Sequence, residues 1–207
     1  MQSDIIAILF SYLFASIPFG LILTKIFSKK DIRKSGSGNI GATNVVRAVG
    51  KKLGYATFIL DAFKGIIAII FASYLQIESS ITYNLVIIAS VIGHCFPIFL
   101  KFKGGKAVAT IFGIVALTDF QALIAVAFGW YILFYISKMV SFASIISLIV
   151  IMTYNIITFH DISYAIIFIC LISIFKHQGN IRRIANGEEF SFKEKTNKKK
   201  NVKKSKK

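Results

Sequence analysis

Three observations make this chain an all-α, polytopic membrane helical bundle: its apolar content, the length of its apolar runs and the one-sided placement of its cations. Of its 207 residues, 56% are hydrophobic and 16% charged, and the mean hydropathy is +0.70. That is more apolar surface than a soluble core of this length can bury, so lipid must solvate most of it. The apolar stretches divide into about seven transmembrane spans, at 5–27, 53–75, 82–100, 107–117, 121–137, 139–158 and 162–176. Backbone in lipid must satisfy its own hydrogen bonds, which makes each of them a helix. Every lysine and arginine except Lys64 then falls on one side. The opposite loops carry Asp4, Glu78, Asp119, His160 and Asp161 and no cation, so the amino terminus is expected outside and the carboxyl terminus in the cytoplasm.

The first run, from Ile5 to Phe27, is long enough to span and has no charged region ahead of it, so a cleavable signal is not required. The second contains Asp61 and Lys64, three residues apart on one helix face, and their depth predicts a mutual ion pair that locks the bundle. The third ends at His94 and Pro97; a lone histidine there fits a structural hydrogen-bonder better than a catalyst. The fourth has only eleven residues, about half of a bilayer core of roughly 30 Å at about 1.5 Å per residue, and is expected to be tilted or half-depth. Merging 107–137 into one helix would put Lys138 and the tail opposite the other cations, so a break is expected at Thr118, Asp119 and Gln121. Cys95 and Cys170 lie in apolar runs without a CxxC partner and are read as packing thiols.

Residues 1–192 form a single membrane domain on this reading, and 193–207 a disordered tail of nine lysines and one acid. The tail therefore holds +8 of the net +16. It has no aromatic or motif support for binding nucleic acid, which is not expected as a partner. A solvated topogenic role and contact with anionic membrane lipid both remain open.

Three polar loops share the cationic side: SGSGNIGATNVVR, KFKGGK and KHQGNIRR. In the first, Gly36, Gly38 and Gly41 match GxGxxG spacing, but a membrane span precedes them where a dinucleotide fold needs a buried strand. Glycines still let backbone N–H groups approach a phosphate, and the helix restarting near Thr43 offers a positive dipole end. Asn39, Thr43 and Asn44 add neutral donors, and Arg47 adds a fork suited to phosphate oxygens. The second loop places Lys106 after the Gly104–Gly105 turn and lacks the spacing of an ATP-binding Walker loop. In the third, His177 and Asn180 share a helical face, and a histidine suits proton transfer. Ser144, about one turn into the sixth span, is an isolated hydroxyl that could reach the same cavity. A transporter or channel for organic phosphates would use such a vestibule too, although alternating access favours a midplane site and an internal repeat, and no repeat is visible.

Together, GSGNIGATNVVR, GHCFPIFLKFKGGKAVAT, VSFAS at 140–144 and HQGNIRR resemble the bacterial acyl-phosphate-dependent glycerol-3-phosphate acyltransferases, the PlsY family. The resemblance runs from about residue 1 to 192, with the motifs in the family's order and spacing. It implies transfer of a fatty acyl group from acyl phosphate to the sn-1 hydroxyl of glycerol 3-phosphate, giving lysophosphatidic acid and phosphate at the start of phospholipid synthesis. It also implies a monomer in the bacterial inner membrane, with its site facing the cytoplasm and no cofactor or metal. The residues it assigns to the glycerol 3-phosphate pocket are Ser37, Arg47, Lys106, Ser144, His177, Asn180 and Glu189, with Gly104, Gly105 and the Asn39 to Asn44 loop, Thr43 included, beside the acyl phosphate. Two phosphorylated substrates need two anion cradles, and the fatty chain needs a groove between helices. The His-x-x-x-x-Asp pair of the other large acyltransferase class is absent, since Arg182 stands five residues after His177.

Overall fold

The computed structural model describes residues 1–158 and 163–191; His160, Asp161, residue 162 and the lysine tail lie outside them. Ten α-helices cover most of the described chain, without a strand: α1 Gln2–Ala15, α2 Phe19–Ser28, α3 Ala42–Val49, α4 Lys51–Tyr74, α5 Ser80–Cys95, α6 Val108–Thr118, α7 Phe120–Ser137, α8 Val140–Thr158, α9 Ser163–Lys176 and α10 Gln178–Ala185. Each predicted span is helical. The first is interrupted at Ser16–Pro18, where proline has no N–H to continue the α1 ladder.

Among the described residues, five units are long and apolar enough to cross a membrane, Gln2–Ser28 taken as one, Lys51–Tyr74, Ser80–Leu100, Phe120–Ser137 and Val140–Thr158, and the bent pair Tyr164–Lys176 and Gln178–Ala185 makes a sixth if taken as one span. The eleven-residue α6 is the expected short helix. Its end at Asp119 confirms the predicted break, since the Asp119 carboxylate caps α7 by accepting from the Ala122 N–H at 2.8 Å. The shorter α9 bends by 57° into α10, so α10 leaves the bundle at the same end as the α5–α6 loop.

Packing follows the rules of lipid, where no hydrophobic drive separates helix from solvent and close backbone approach has to hold the bundle. α1 lies on α4 and α5, α4 on α6, α8 on α7 and α9, and α9 returns to α5. The α4–α6 seam is set by two glycines: a Cβ on Gly65 would stand 2.4 Å from the Thr110 carbonyl oxygen, and one on Gly113 2.1 Å from that of Ala62. Above this seam Ile87, Val91, Ile111, Ile114, Leu148 and Ile169 interlock as the core. On the outside, α7 buries only Val126 and exposes Phe120, Phe128, Tyr131 and Tyr135. Deep in α4 the predicted ion pair is present, with Lys64 Nζ 2.9 Å from Asp61 Oδ1.

Adding one methyl group therefore has opposite consequences at different glycines. Gly65→Ala and Gly113→Ala should each cost about 1–3 kcal/mol, because α6 must move off α4. Gly129→Ala, on α7 with nothing within 4 Å of its Cβ, should be neutral or stabilising by about 0.5–1 kcal/mol. Thermal unfolding of the three variants in detergent checks the difference.

Candidate active site

The loop between α2 and α3 is organised by one side chain. Asn44 is buried; its amide group donates to the carbonyl oxygens of Asn39 at 2.8 Å, Ser35 at 2.9 Å and Ile32 at 3.2 Å, while its oxygen accepts from the Ser37 N–H at 3.0 Å. Gly36 packs against it with φ +59°, where a side chain would be strained and would strike the Asn44 oxygen. Asn44 therefore builds the loop, its donors engaged there rather than offered to a ligand. Asn39 accepts from the Gly41 N–H at 2.8 Å, which turns the chain into α3. Ser37 is exposed at the tip, and Thr43 stands in the first turn of α3, whose leading N–H groups have no carbonyl within the helix to accept from them.

One turn further, Arg47 reaches across to the carboxyl-terminal segment: its Nη2 donates to the Phe190 carbonyl at 3.2 Å and its guanidinium lies 5.1 Å from the centre of the Phe190 ring. Arg183 approaches the same ring at 5.4 Å. Phe190 thus gathers two cations from elements far apart in the chain.

The Gly104–Gly105 turn is held tightly against the end of α5. Gly104 and Gly105 donate their N–H groups to the carbonyls of Cys95 at 3.2 Å and His94 at 3.1 Å. A Cβ on either would collide with His94 or Pro97. Both amides are engaged by the end of α5, and the turn places Lys106 ahead of α6. The Lys106 carbonyl accepts from Ser173 Oγ at 2.5 Å, and its ammonium contacts the Asn180 carboxamide oxygen.

The third loop completes the cluster. Asn180 donates to Glu189 Oε1 at 2.8 Å, Ser141 donates to the same oxygen at 2.8 Å, and Arg183 Nε holds Glu189 Oε2 at 2.8 Å. His177 is buried beside Lys106, and its Nδ1 lies 2.8 Å from the Ser173 carbonyl. A carbonyl only accepts, so the proton sits on Nδ1 and Nε2 keeps its lone pair.

Charge in this cluster is unbalanced. Arg47, Lys106 and Arg183 face the single carboxylate of Glu189, so a dianionic phosphate would bring the site near neutrality. Burial pushes the Lys106 ammonium down to about 8, with Arg183 and Arg47 adding repulsion and Glu189 opposing it. Burial, then the Lys106 charge, pushes His177 down to about 4, which keeps it neutral and proton-accepting at physiological pH. Burial likewise lowers Arg47 from its ordinary value.

Of the expected residues, Arg47, Lys106, His177, Asn180 and Glu189 converge. Ser144 does not: its hydroxyl accepts from Trp130 Nε1 at 3.1 Å, between α7 and α8. Ser141, in the first turn of α8, occupies the place expected of Ser144. Ser141, Ser173 and Arg183 join the cluster unanticipated; position in the turn nearest the cationic loops was the available signal for Ser141. A separate cavity of about 610 Å³, lined by Asp119, Ala122, Tyr154 and Asn155 among others, lies at the far end of the bundle.

Relatives place this architecture. The family model described as glycerol-3-phosphate acyltransferase matches residues 5–187. A glycerol-3-phosphate acyltransferase of Pelagibacter ubique is 42% identical over 188 residues, covering 89% of this chain and 95% of its own. One from Ehrlichia chaffeensis is 41% identical over 191 residues, covering 91% and 96%. The crystal structure of PlsY (YgiH), an integral membrane glycerol 3-phosphate acyltransferase, in its glycerol 3-phosphate form, superposes with a TM-score of 0.86 at 36% identity over 92% of this chain and 96% of that one. Its lysophosphatidic acid form superposes with a TM-score of 0.83, also at 36% identity, over 92% and 95%. With the same helical framework, extensive identity and a cationic cluster at one end, this chain belongs to the glycerol-3-phosphate acyltransferase family, as a membrane acyltransferase of the PlsY type.

Proposed function

We propose that this acyltransferase takes its fatty acyl group from acyl phosphate and delivers it to the sn-1 hydroxyl of glycerol 3-phosphate, at the cytoplasmic face of the bacterial inner membrane, acting as a monomer. The observation that carries the reading is the meeting of Arg47, Lys106, His177 and Asn180 around the Glu189 carboxylate, a site with a surplus of positive charge beside a neutral imidazole.

Arg47 and Lys106 hold the glycerol 3-phosphate phosphate, with Ser37 on the loop leading to α3 and Thr43 in the first turn of that helix. Asn180 and Ser141, fixed by Glu189, orient the glycerol end. The hydroxyl oxygen attacks the acyl carbon, the carbonyl becomes an oxyanion stabilised by the nearby cations, and collapse expels inorganic phosphate. The hydroxyl proton passes to His177 Nε2 or to a phosphate oxygen, the two acceptors within the chemistry of the site. Transfer is direct. Ser141 is the hydroxyl best placed to act as a nucleophile, but its partner Glu189 is stabilised as a carboxylate by Arg183 and Asn180, and a stabilised carboxylate is a poor base for activating it. An acyl phosphate is already activated, so alignment of hydroxyl and carbonyl accounts for much of the rate. Transport of organic phosphate is not favoured: the anion-binding groups gather at one end, and the deep cation Lys64 is paired with Asp61.

The purified protein given acyl phosphate and labelled glycerol 3-phosphate in detergent should release lysophosphatidic acid and phosphate. Arg47→Ala, Lys106→Ala and His177→Ala should each lower kcat/KM by about a hundredfold or more while the protein still inserts; near-normal turnover in all three removes the site. The ammonium form of Lys106 binds the phosphate, so kcat/KM for glycerol 3-phosphate should fall as pH rises through about 8. Lys106→Arg should abolish that alkaline limb, because a guanidinium keeps its charge there. Residues 1–192 are proposed as the whole catalytic unit, so a chain lacking 194–207 should turn over at the full rate; a collapse would make the tail part of the enzyme.

A further inference from the structure

Lys64 is the deepest cation of the described chain, 1% exposed near the middle of α4. Besides its ion pair with Asp61, its Nζ lies 3.3 Å from His94 Nδ1 and 5.2 Å from the centre of the Phe19 ring. An ammonium only donates, so Nδ1 accepts, and the proton of the neutral imidazole sits on Nε2. From α6, the Thr110 hydroxyl donates to the Asp61 carbonyl at 2.9 Å and comes within 3.4 Å of the same Nδ1. Asp61 Oδ1 stands 3.7 Å from it. One edge of the His94 ring is therefore held from two helices.

The other edge meets the Gly104–Gly105 turn. A Cβ on Gly105 would stand 2.2 Å from His94 Nε2, and one on Gly104 2.3 Å from the His94 carbonyl oxygen. That carbonyl accepts from the Gly105 N–H at 3.1 Å. His94 thus touches the turn with side chain and main chain together, and the next residue is Lys106.

Two apolar side chains would fill the space of Asp61 and Lys64 without the cost of desolvating charges. What the pair adds is direction, because the ammonium selects one imidazole tautomer and one ring orientation. We propose that Asp61, Lys64 and His94 are positioning residues: the buried ion pair orients His94 against the Gly104–Gly105 turn, and this fixes where Lys106 presents its ammonium to the substrate phosphate. The proposal rests on the reading of Lys106 as a phosphate-binding cation.

The test uses the full chain in detergent, with glycerol 3-phosphate as the varied substrate. Asp61→Leu combined with Lys64→Met removes both charges and leaves neither orphaned, so the melting temperature should change by only about 3 °C or less. The KM for glycerol 3-phosphate should rise about tenfold, with a smaller fall in kcat. Placed on Lys106→Ala, the double change should cost less than about twofold more, since the cation it positions is already gone. A retained melting temperature with an unchanged KM overturns the proposal, as does a full further loss on the Lys106→Ala background. Should the double variant fail to fold, His94→Gln decides with the ion pair intact: the same rise in KM supports the proposal, and a normal KM ends it. Wild-type kinetics of Lys106→Ala would instead defeat the phosphate-binding reading beneath it, and with it the cation there is to position.

Discussion

The contact between the Lys106 ammonium and the Asn180 carboxamide joins the α5–α6 loop to α10 across 74 residues of chain, and the arrangement of the cationic end depends on it. A bilayer confines strong charges to the ends of a bundle, so cations from successive loops are drawn to the same polar zone. Crowding like charges there is unfavourable until something absorbs the repulsion. Glu189 does so in part, taking Ser141, Asn180 and Arg183 on its two oxygens. The remaining surplus charge belongs to Arg47 and Lys106, and a phosphate is the ligand whose charge and geometry match it.

Rigidity behind these side chains comes from backbone contacts rather than from size. The glycines of the second loop are pressed against the last carbonyls of α5, and Asn44 holds the first loop through its own amide. Both loops therefore use their polar groups to hold themselves in place, while the longer cationic side chains of Arg47 and Lys106 reach out to Phe190 and Asn180. That division of labour suits catalysis by alignment, in which a displacement of about 1 Å has large kinetic consequences. The α4–α6 seam beneath, closed at Gly65 and Gly113, keeps the helix that follows Lys106 from drifting.

Much of this was legible from residue order. Apolar run lengths located the helices, the cation distribution singled out one active end, and Asp119 marked the break between α6 and α7. Arg47, Lys106, His177 and Asn180 stood out as polar or charged groups in the loops of the cationic side, and the resemblance to the PlsY family joined them with Glu189 into one pocket. Ser144 and Ser141 show where such reading stops. Both are serines on the first turns of α8, and only the neighbouring elements decide that one meets Trp130 and the other Glu189. Gly104, Gly105 and Asn44 mark a related limit: a glycine or asparagine near a phosphate site can serve a ligand or its own loop, and the identity of the residue does not say which.

Composition and spacing alone established a membrane bundle with a cationic end and the residue types that chemistry there would employ, because hydropathy and charge act locally and leave their mark in linear order. Tertiary structure settled which of those side chains meet, which hydrogen bonds are already satisfied within the loops, and how the Asp61–Lys64 pair comes to lie against His94. Such contacts depend on helix rotation and on separations of a few ångströms between segments remote in the chain, and neither is written in any local pattern of residues.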